Sequence, residues 1–155
     1  MPQQTTEIRT ALFADLDART FHDLLKLRVD VFVVEQNCPY PELDGRDVEP
    51  GTRHVWLTDG DALLAYLRIL ADPDGLARIG RVVVAPAARR GGHAGRLMAA
   101  ALDLIGDRPS VLEAQSHLVA FYARYGFTVS GPEYVEDGIP HTPMRRDPRP
   151  VAIDV

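Results

Sequence analysis

A three-layer α-β-α sandwich on a mixed, mostly antiparallel sheet of six to seven strands is the fold class this 155-residue sequence predicts. Three observations predict it. Strand patterns in the first half are joined by tight turns, which makes neighbours antiparallel. A valine-rich strand then enters a helix through a glycine turn. Another strand follows that helix, so the connection is a crossover and the two strands lie parallel. Strands and helices in that order give an α/β chain of the α+β kind, layered about one sheet.

The elements follow in order. Ile8 to Leu12 alternates and reads as a first strand. Thr20 to Val34 is helical at its start, with Phe21, Leu24, Leu25 and Phe32 on one face, but its end is β-branched and its boundary is open. Asn37 to Gly51 holds Pro39, Pro41, Gly45 and Pro50 and reads as a loop. His54 to Thr58 and Leu63 to Leu70 flank Asp59-Gly60-Asp61, a hairpin signal. Pro73-Asp74-Gly75 turns into a strand from Leu76 to Ala85. Ala94, Leu97, Met98, Ala101, Leu102 and Ile105 share a helix face. Val111 to Gln115 is the parallel strand. His117 to Tyr125 is a short helix stopped by Gly126, and Phe127 to Ser130 and His141 to Arg145 form a closing pair. The chain reads as one domain, residues 1–147, with an irregular tail over 148–155 that holds Pro148 and Pro150.

Composition excludes several classes. Hydrophobic content of 46% and charged content of 25% are ordinary for a globular chain. A net charge of −5 argues against nucleic acid as a partner. No apolar run approaches the ~20 residues of a membrane helix. The first residues lack the basic start and apolar core of a signal peptide. The one cysteine, Cys38, forms no internal disulfide, and these features point to the cytoplasm. A homodimer is an open expectation.

The chemistry centres on the turn after Val82, Val83 and Val84. Arg89, Arg90, Gly91, Gly92, His93, Ala94 and Gly95 form a basic, glycine-rich entry to a helix. Glycines let backbone N–H groups turn inward, the helix start adds about half a positive charge, and the arginines add full ones. This is a pyrophosphate cradle. Its spelling fits neither a Walker loop, which needs Gly-Lys before Ser or Thr, nor a G-x-G-x-x-G fingerprint.

The spelling R-x-x-G-x-A, set by Arg89, Gly92 and Ala94, resembles the acetyl-CoA motif of the GNAT superfamily of N-acetyltransferases. Phe121-Tyr122-Ala123-Arg124-Tyr125-Gly126-Phe127 resembles that superfamily's late F-Y-x-x-x-G-F signature. Val31-Phe32-Val33-Val34-Glu35-Gln36, Ala114-Gln115-Ser116-His117-Leu118 and Glu136-Asp137-Gly138-Ile139-Pro140-His141 are similar to its ElaA-like branch. The resemblance runs from about Leu12 to Arg145. It implies the GNAT fold and transfer of an acetyl group from acetyl-CoA to a primary amine of a small molecule or peptide, by direct attack. A CoA-binding sensor without turnover and an acyltransferase for longer chains are the alternatives.

Residue by residue, the resemblance places the pyrophosphate on Arg89 to Gly95 and the pantetheine arm along Val82 to Val84, with Gln115 and Tyr122 completing the cofactor set. Tyr122 takes the general-acid role, since a phenol near ~10 gives a proton without being ionised at neutral pH; the bland reading is a core aromatic beside Phe121. Candidates for the base are Glu35, His54, His117 and Glu113. Arg28 interrupts an apolar helix face and needs a carboxylate, for which Glu35 is in reach. Glu35, Gln36, Asp44 and Asp47 on the first loop, with Arg28 and His54, are the expected acceptor-binding set; converging acids would attract a cationic amine. The plain alternative is a solvated acidic loop. His54 and His141 have no metal-ligand spacing, and no metal is expected.

Overall fold

The computed structural model describes residues 5–148. Residues 1–4 and the tail past Pro148 lie outside the described residues.

The sheet is built from β1 (Thr6–Leu12), β2 (Arg53–Asp59), β3 (Ala62–Ala71), β4 (Ala77–Val84), β5 (Ser110–Gln115), β6 (Thr128–Val129), β7 (Tyr134–Glu136) and β8 (Ile139–Arg146). Its order is β1-β2-β3-β4-β5-β8-β6, with β7 also on β8. Every pairing is antiparallel except β4 with β5. The mixed sheet is as expected, with one more strand than the expected upper count. The additional strand, β7, closes a hairpin onto β8 through Asp137 and Gly138, whose φ values are 52° and 79°. Positive φ at both central residues is what a two-residue primed turn requires.

The helices are α1 (Ala18–Arg28), α2 (His93–Ile105) and α3 (Val119–Ala123). Asp17 caps α1 by accepting from the Thr20 N–H at 2.8 Å. The uncertain stretch after α1 is a π-helix, Val29–Glu35. Its β-branched residues crowd an α-turn, and the wider π-turn accommodates them.

Strand alternation sorts the core into two layers. Val55 and Leu57 of β2 and Ala65, Leu67 and Ile69 of β3 face Leu97, Met98, Ala101 and Ile105 of α2. Trp56, Tyr66 and Val83 face the other way and pack on Leu24, Leu27 and Val31. The same parity sends His54 and Arg68 to the α1 face, where both are buried.

Two distortions shape the middle of the sheet. β4 and β5 pair only at Ala77 with Ser110 and Arg78 with Val111; beyond these the strands part. β4 also bulges against β3 between Tyr66 and Arg68, with Arg81 at φ 54°. A non-glycine residue there is strained, and such strain is held only where the surroundings over-determine it. The result is a β4 edge without a strand partner, beside a cleft.

Candidate active site

The cleft encloses about 870 Å³ and opens where β4 and β5 diverge. Ile79, Val82, Val83 and Val84 line one side, Leu112, Glu113 and Gln115 the other, and Tyr122 lies in its lining. Ala94 and Arg89 bring the start of α2 to the same cleft. Arg90, Gly91, Gly92, His93 and Gly95 ring an adjoining recess of about 130 Å³.

The turn suits an anion. Gly92 caps α2 at φ 75°, a conformation that excludes most side chains. The first intrahelical bond runs from Arg96 N to Gly92 O, so the N–H groups of His93, Ala94 and Gly95 are left over at the helix start. His93 Nδ1 is buried without a partner among the described residues. Gly91 lies against the His93 ring, and a Cβ there would come to 2.7 Å from its Nε2.

Tyr122 is 6% exposed. Burial alone pushes its phenol up to about 12. It packs edge-on to Phe121 and Phe127, at ring distances of 5.0 and 6.5 Å. The ring is part of the core and also lies in the cleft lining.

The acceptor-side expectations need correction. Arg28, Asp47 and His54 are buried away from the cleft lining. Arg28 does not pair with Glu35. It gives Nε to Glu42 at 2.7 Å and Nη1 to Asp47 at 2.7 Å. Arg68 donates to Asp47 at 3.0 Å and to Asp44 at 2.5 Å. Arg81 donates to Glu42 at 2.9 Å, and Tyr40 donates to the same carboxylate. His54 joins Tyr66 at 2.6 Å through Nδ1, and its Nε2 lies 2.9 Å from the Asp47 carbonyl oxygen. Burial pushes its imidazole below the ordinary value, so it sits neutral inside the fold. The first loop is exposed along much of its length, but Glu42 and Asp47 are buried and Asp44 is engaged, so these acids are not free to gather a cation. Its acids neutralise arginines from α1, β3 and β4, which pins the loop beside the cleft. Of the expected acceptor residues, Asp44, Glu35 and Gln36 reach the lining, and Asp44 does so already engaged.

Arg68 and Arg81 are the important residues the sequence reading passed over. Arg68 stood as a lone cation in the apolar run Leu63 to Leu70, which was signal enough for a buried partner. Tyr40, Cys38 and the tip of the β7–β8 hairpin also line the cleft. The Cys38 thiol donates to the Asp137 carbonyl at 3.4 Å, and burial pushes it up, away from the reactive thiolate.

The other base candidates differ in freedom. Glu35 takes both Arg89 Nη groups, at 2.6 and 2.7 Å. Those bonds hold its carboxyl below the usual carboxylate range. Glu113 accepts from Tyr134 at 3.0 Å and from Arg78 at 3.3 Å. His117 lies in the lining and is exposed. No group of histidine, cysteine and carboxylate side chains among the described residues is arranged to hold a metal, and no helix among them is long and apolar enough to cross a membrane.

The buried ion network sets a pH response. Burial alone would raise the Asp44 and Asp47 carboxyls, but arginine hydrogen bonds and charge outweigh it and hold both below the ordinary value. A depressed carboxyl contributes stability that is present above its unfolded value of ~3.9 and lost as pH falls through its folded value. Urea midpoints are therefore expected to be flat from about pH 7 to pH 5 and to drop below about pH 4. An Asp44→Asn variant is expected to show a shallower drop.

Comparisons with known proteins agree with this geometry. Residues 23–148 match the acetyltransferase (GNAT) domain family. A UPF0039 protein of Mycobacterium tuberculosis is 49% identical over 146 residues, which covers 92% of this chain and 94% of that one. An acyl-CoA N-acyltransferase structure from Pseudomonas aeruginosa is 47% identical with a TM-score of 0.82, covering 91% and 99% of the two chains. The Escherichia coli ElaA structure is 39% identical with a TM-score of 0.87, covering 92% and 99%. The chain belongs to the GNAT acetyltransferase family, in its ElaA-like branch, and is an acyltransferase that takes an acyl-CoA and acts on an acceptor.

Proposed function

We propose that the protein transfers the acetyl group of acetyl-CoA to a primary amine of a small molecule or peptide, in the cytoplasm. The observation that carries this reading is the placement of the Tyr122 phenol in one cleft with the partnerless edge of β4 and the start of α2.

The residues present fit the co-substrate. The N–H groups of His93, Ala94 and Gly95 with Arg89 and Arg90 hold the pyrophosphate. Val82 to Val84 offer the pantetheine amides an open strand edge, as a sheet takes up an extended peptide. Bound acetyl-CoA supplies the activated thioester. Gln115 stands across the cleft from this edge and bounds the arm's path. Tyr122 keeps its proton on Oη at neutral pH, which suits a general acid toward a departing sulfur. Among the base candidates, His117 is the one left open to the cleft, and it takes the amine's proton. Glu35 and Gln36, at the end of the π-helix, face the acceptor.

Gly92→Glu puts a side chain where φ 75° disfavours one, and a negative charge beside the phosphates. Calorimetry is expected to show CoA affinity down more than about tenfold, or about 1.4 kcal/mol. Unchanged affinity in a folded variant would place the nucleotide elsewhere. Turnover with octanoyl-CoA is expected to fall well below that with acetyl-CoA.

A further inference from the structure

The end of the π-helix reaches across the cleft in two directions. Glu35 is its last residue, and its carboxylate grips Arg89 with two bonds of 2.6 and 2.7 Å. Gln36 accepts from Gln115 of β5 at 3.4 Å. Glu35 and Arg89 stand 54 residues apart in sequence and belong to opposite sides of the site. Glu35 belongs to the acceptor wall, Arg89 to the phosphate turn.

These two roles conflict. Arg89 cannot give the same fork of donors to Glu35 and to a pyrophosphate. A carboxylate left within 3 Å of Arg89 would also stand beside the bound phosphates and repel them. Glu35 is the weaker claimant, since it carries one negative charge and the pyrophosphate carries two.

We infer that the Glu35–Arg89 pair is a latch that CoA opens by taking Arg89, and that the Glu35 carboxylate so released becomes the group that holds the acceptor's ammonium. This rests on the cradle reading above. Most carboxylates around the latch are already engaged, and Glu136 and Asp137, at the hairpin tip, are the cleft carboxylates without an arginine partner among the described residues. Asp44 is held by Arg68, Glu42 by Arg28 and Arg81, and Glu113 by Arg78 and the Tyr134 hydroxyl. Glu35 loses its partner only when phosphate arrives. A cationic group on the acceptor therefore meets the Glu35 carboxylate once CoA is in place, which favours acceptors that carry a positive charge besides the reacting amine.

The test is calorimetry and carboxyl NMR on the full chain. In Glu35→Gln the latch is gone, and CoA is expected to bind about threefold to fivefold more tightly, the range of an exposed ion pair. Pantetheine, which has no phosphate, is expected to bind both proteins equally. In wild type, the Glu35 side-chain 13C signal, assigned by its loss in Glu35→Gln, is expected to move when CoA is added and to stay when pantetheine is added. With CoA present, 1,4-diaminobutane is expected to move it again; without CoA it is not. Equal CoA affinity in wild type and Glu35→Gln, or a Glu35 signal that ignores CoA, would overturn the latch. A signal that answers CoA but never diaminobutane would overturn the acceptor half. Should Gly92→Glu leave CoA affinity intact, the cradle reading itself falls; if that variant loses CoA while Glu35→Gln matches wild type, only the latch falls.

Discussion

Asp47→Ala is expected to destabilise the fold by about 3 to 5 kcal/mol, because it removes the carboxylate shared by two buried arginines and leaves each with one remaining acidic partner and unpaired N–H groups. Asp47 is 4% exposed and takes hydrogen bonds from Arg28 and Arg68 together. Arg28 has no exposure at all, and Glu42 alone would remain to pair with it. Arg68 would keep only its pair with Asp44, and its Nε is already buried without a partner among the described residues. The His54 contact is to the Asp47 backbone carbonyl and survives the change, so the cost comes from the carboxylate alone. Urea denaturation gives the measurement directly. A cost under about 1 kcal/mol would mean that the network is solvated in solution. Asp47→Asn keeps the shape and some acceptor capacity, and its cost is expected to be intermediate.

Tyr122→Phe is expected to lower kcat by ~10²-fold while leaving CoA affinity and the unfolding midpoint close to wild type. The ring contacts with Phe121 and Phe127 survive the change, and no hydroxyl bond to another described residue is lost, since burial is the sole cause of the raised phenol pKa. Steady-state kinetics at saturating substrates separate the two possible roles. A fall in kcat without a fall in stability marks the hydroxyl as chemical. Near-normal kcat would return Tyr122 to the core and move attention to Tyr125, whose hydroxyl crowds Gly95 of α2.

Much of this fold was readable because its signals are local. The valine run, the glycine turn and the 3.6-residue pattern after it sit within one stretch, and α2 begins at His93, one residue before the expected Ala94. The short helix expected over His117 to Tyr125 is a 3-10 turn at Ser116–Leu118 followed by α3, which ends at Ala123, and a turn carries the chain on to Gly126 at φ 90°. Arg28 shows where local reading stops. Its interruption of an apolar face correctly demanded a carboxylate, but the partners lie 14 and 19 residues on, across a proline-bearing loop, and not at the helical spacing of Glu35. The same gap misread the acidic loop. Its counter-charges come from β3 and β4, and only the pairing of strands shows that Arg68 and Arg81 arrive beneath it. The π-helix has no period that side-chain pattern alone separates from a frayed α-helix. β7 is a different case: Asp137-Gly138 carried the turn signal, and the three residues before it were too few to show alternation.

The most direct test of the account is release of free CoA thiol from acetyl-CoA when amines are added one at a time, with products identified by mass. The account predicts thiol release that depends on the amine, one N-acetyl product per thiol, with cationic amines ahead of neutral ones and both signals lost together in Gly92→Glu. CoA binding at the cradle with no amine-dependent thiol release across a broad amine set would contradict it, and would leave the acceptor to be sought among other nucleophiles.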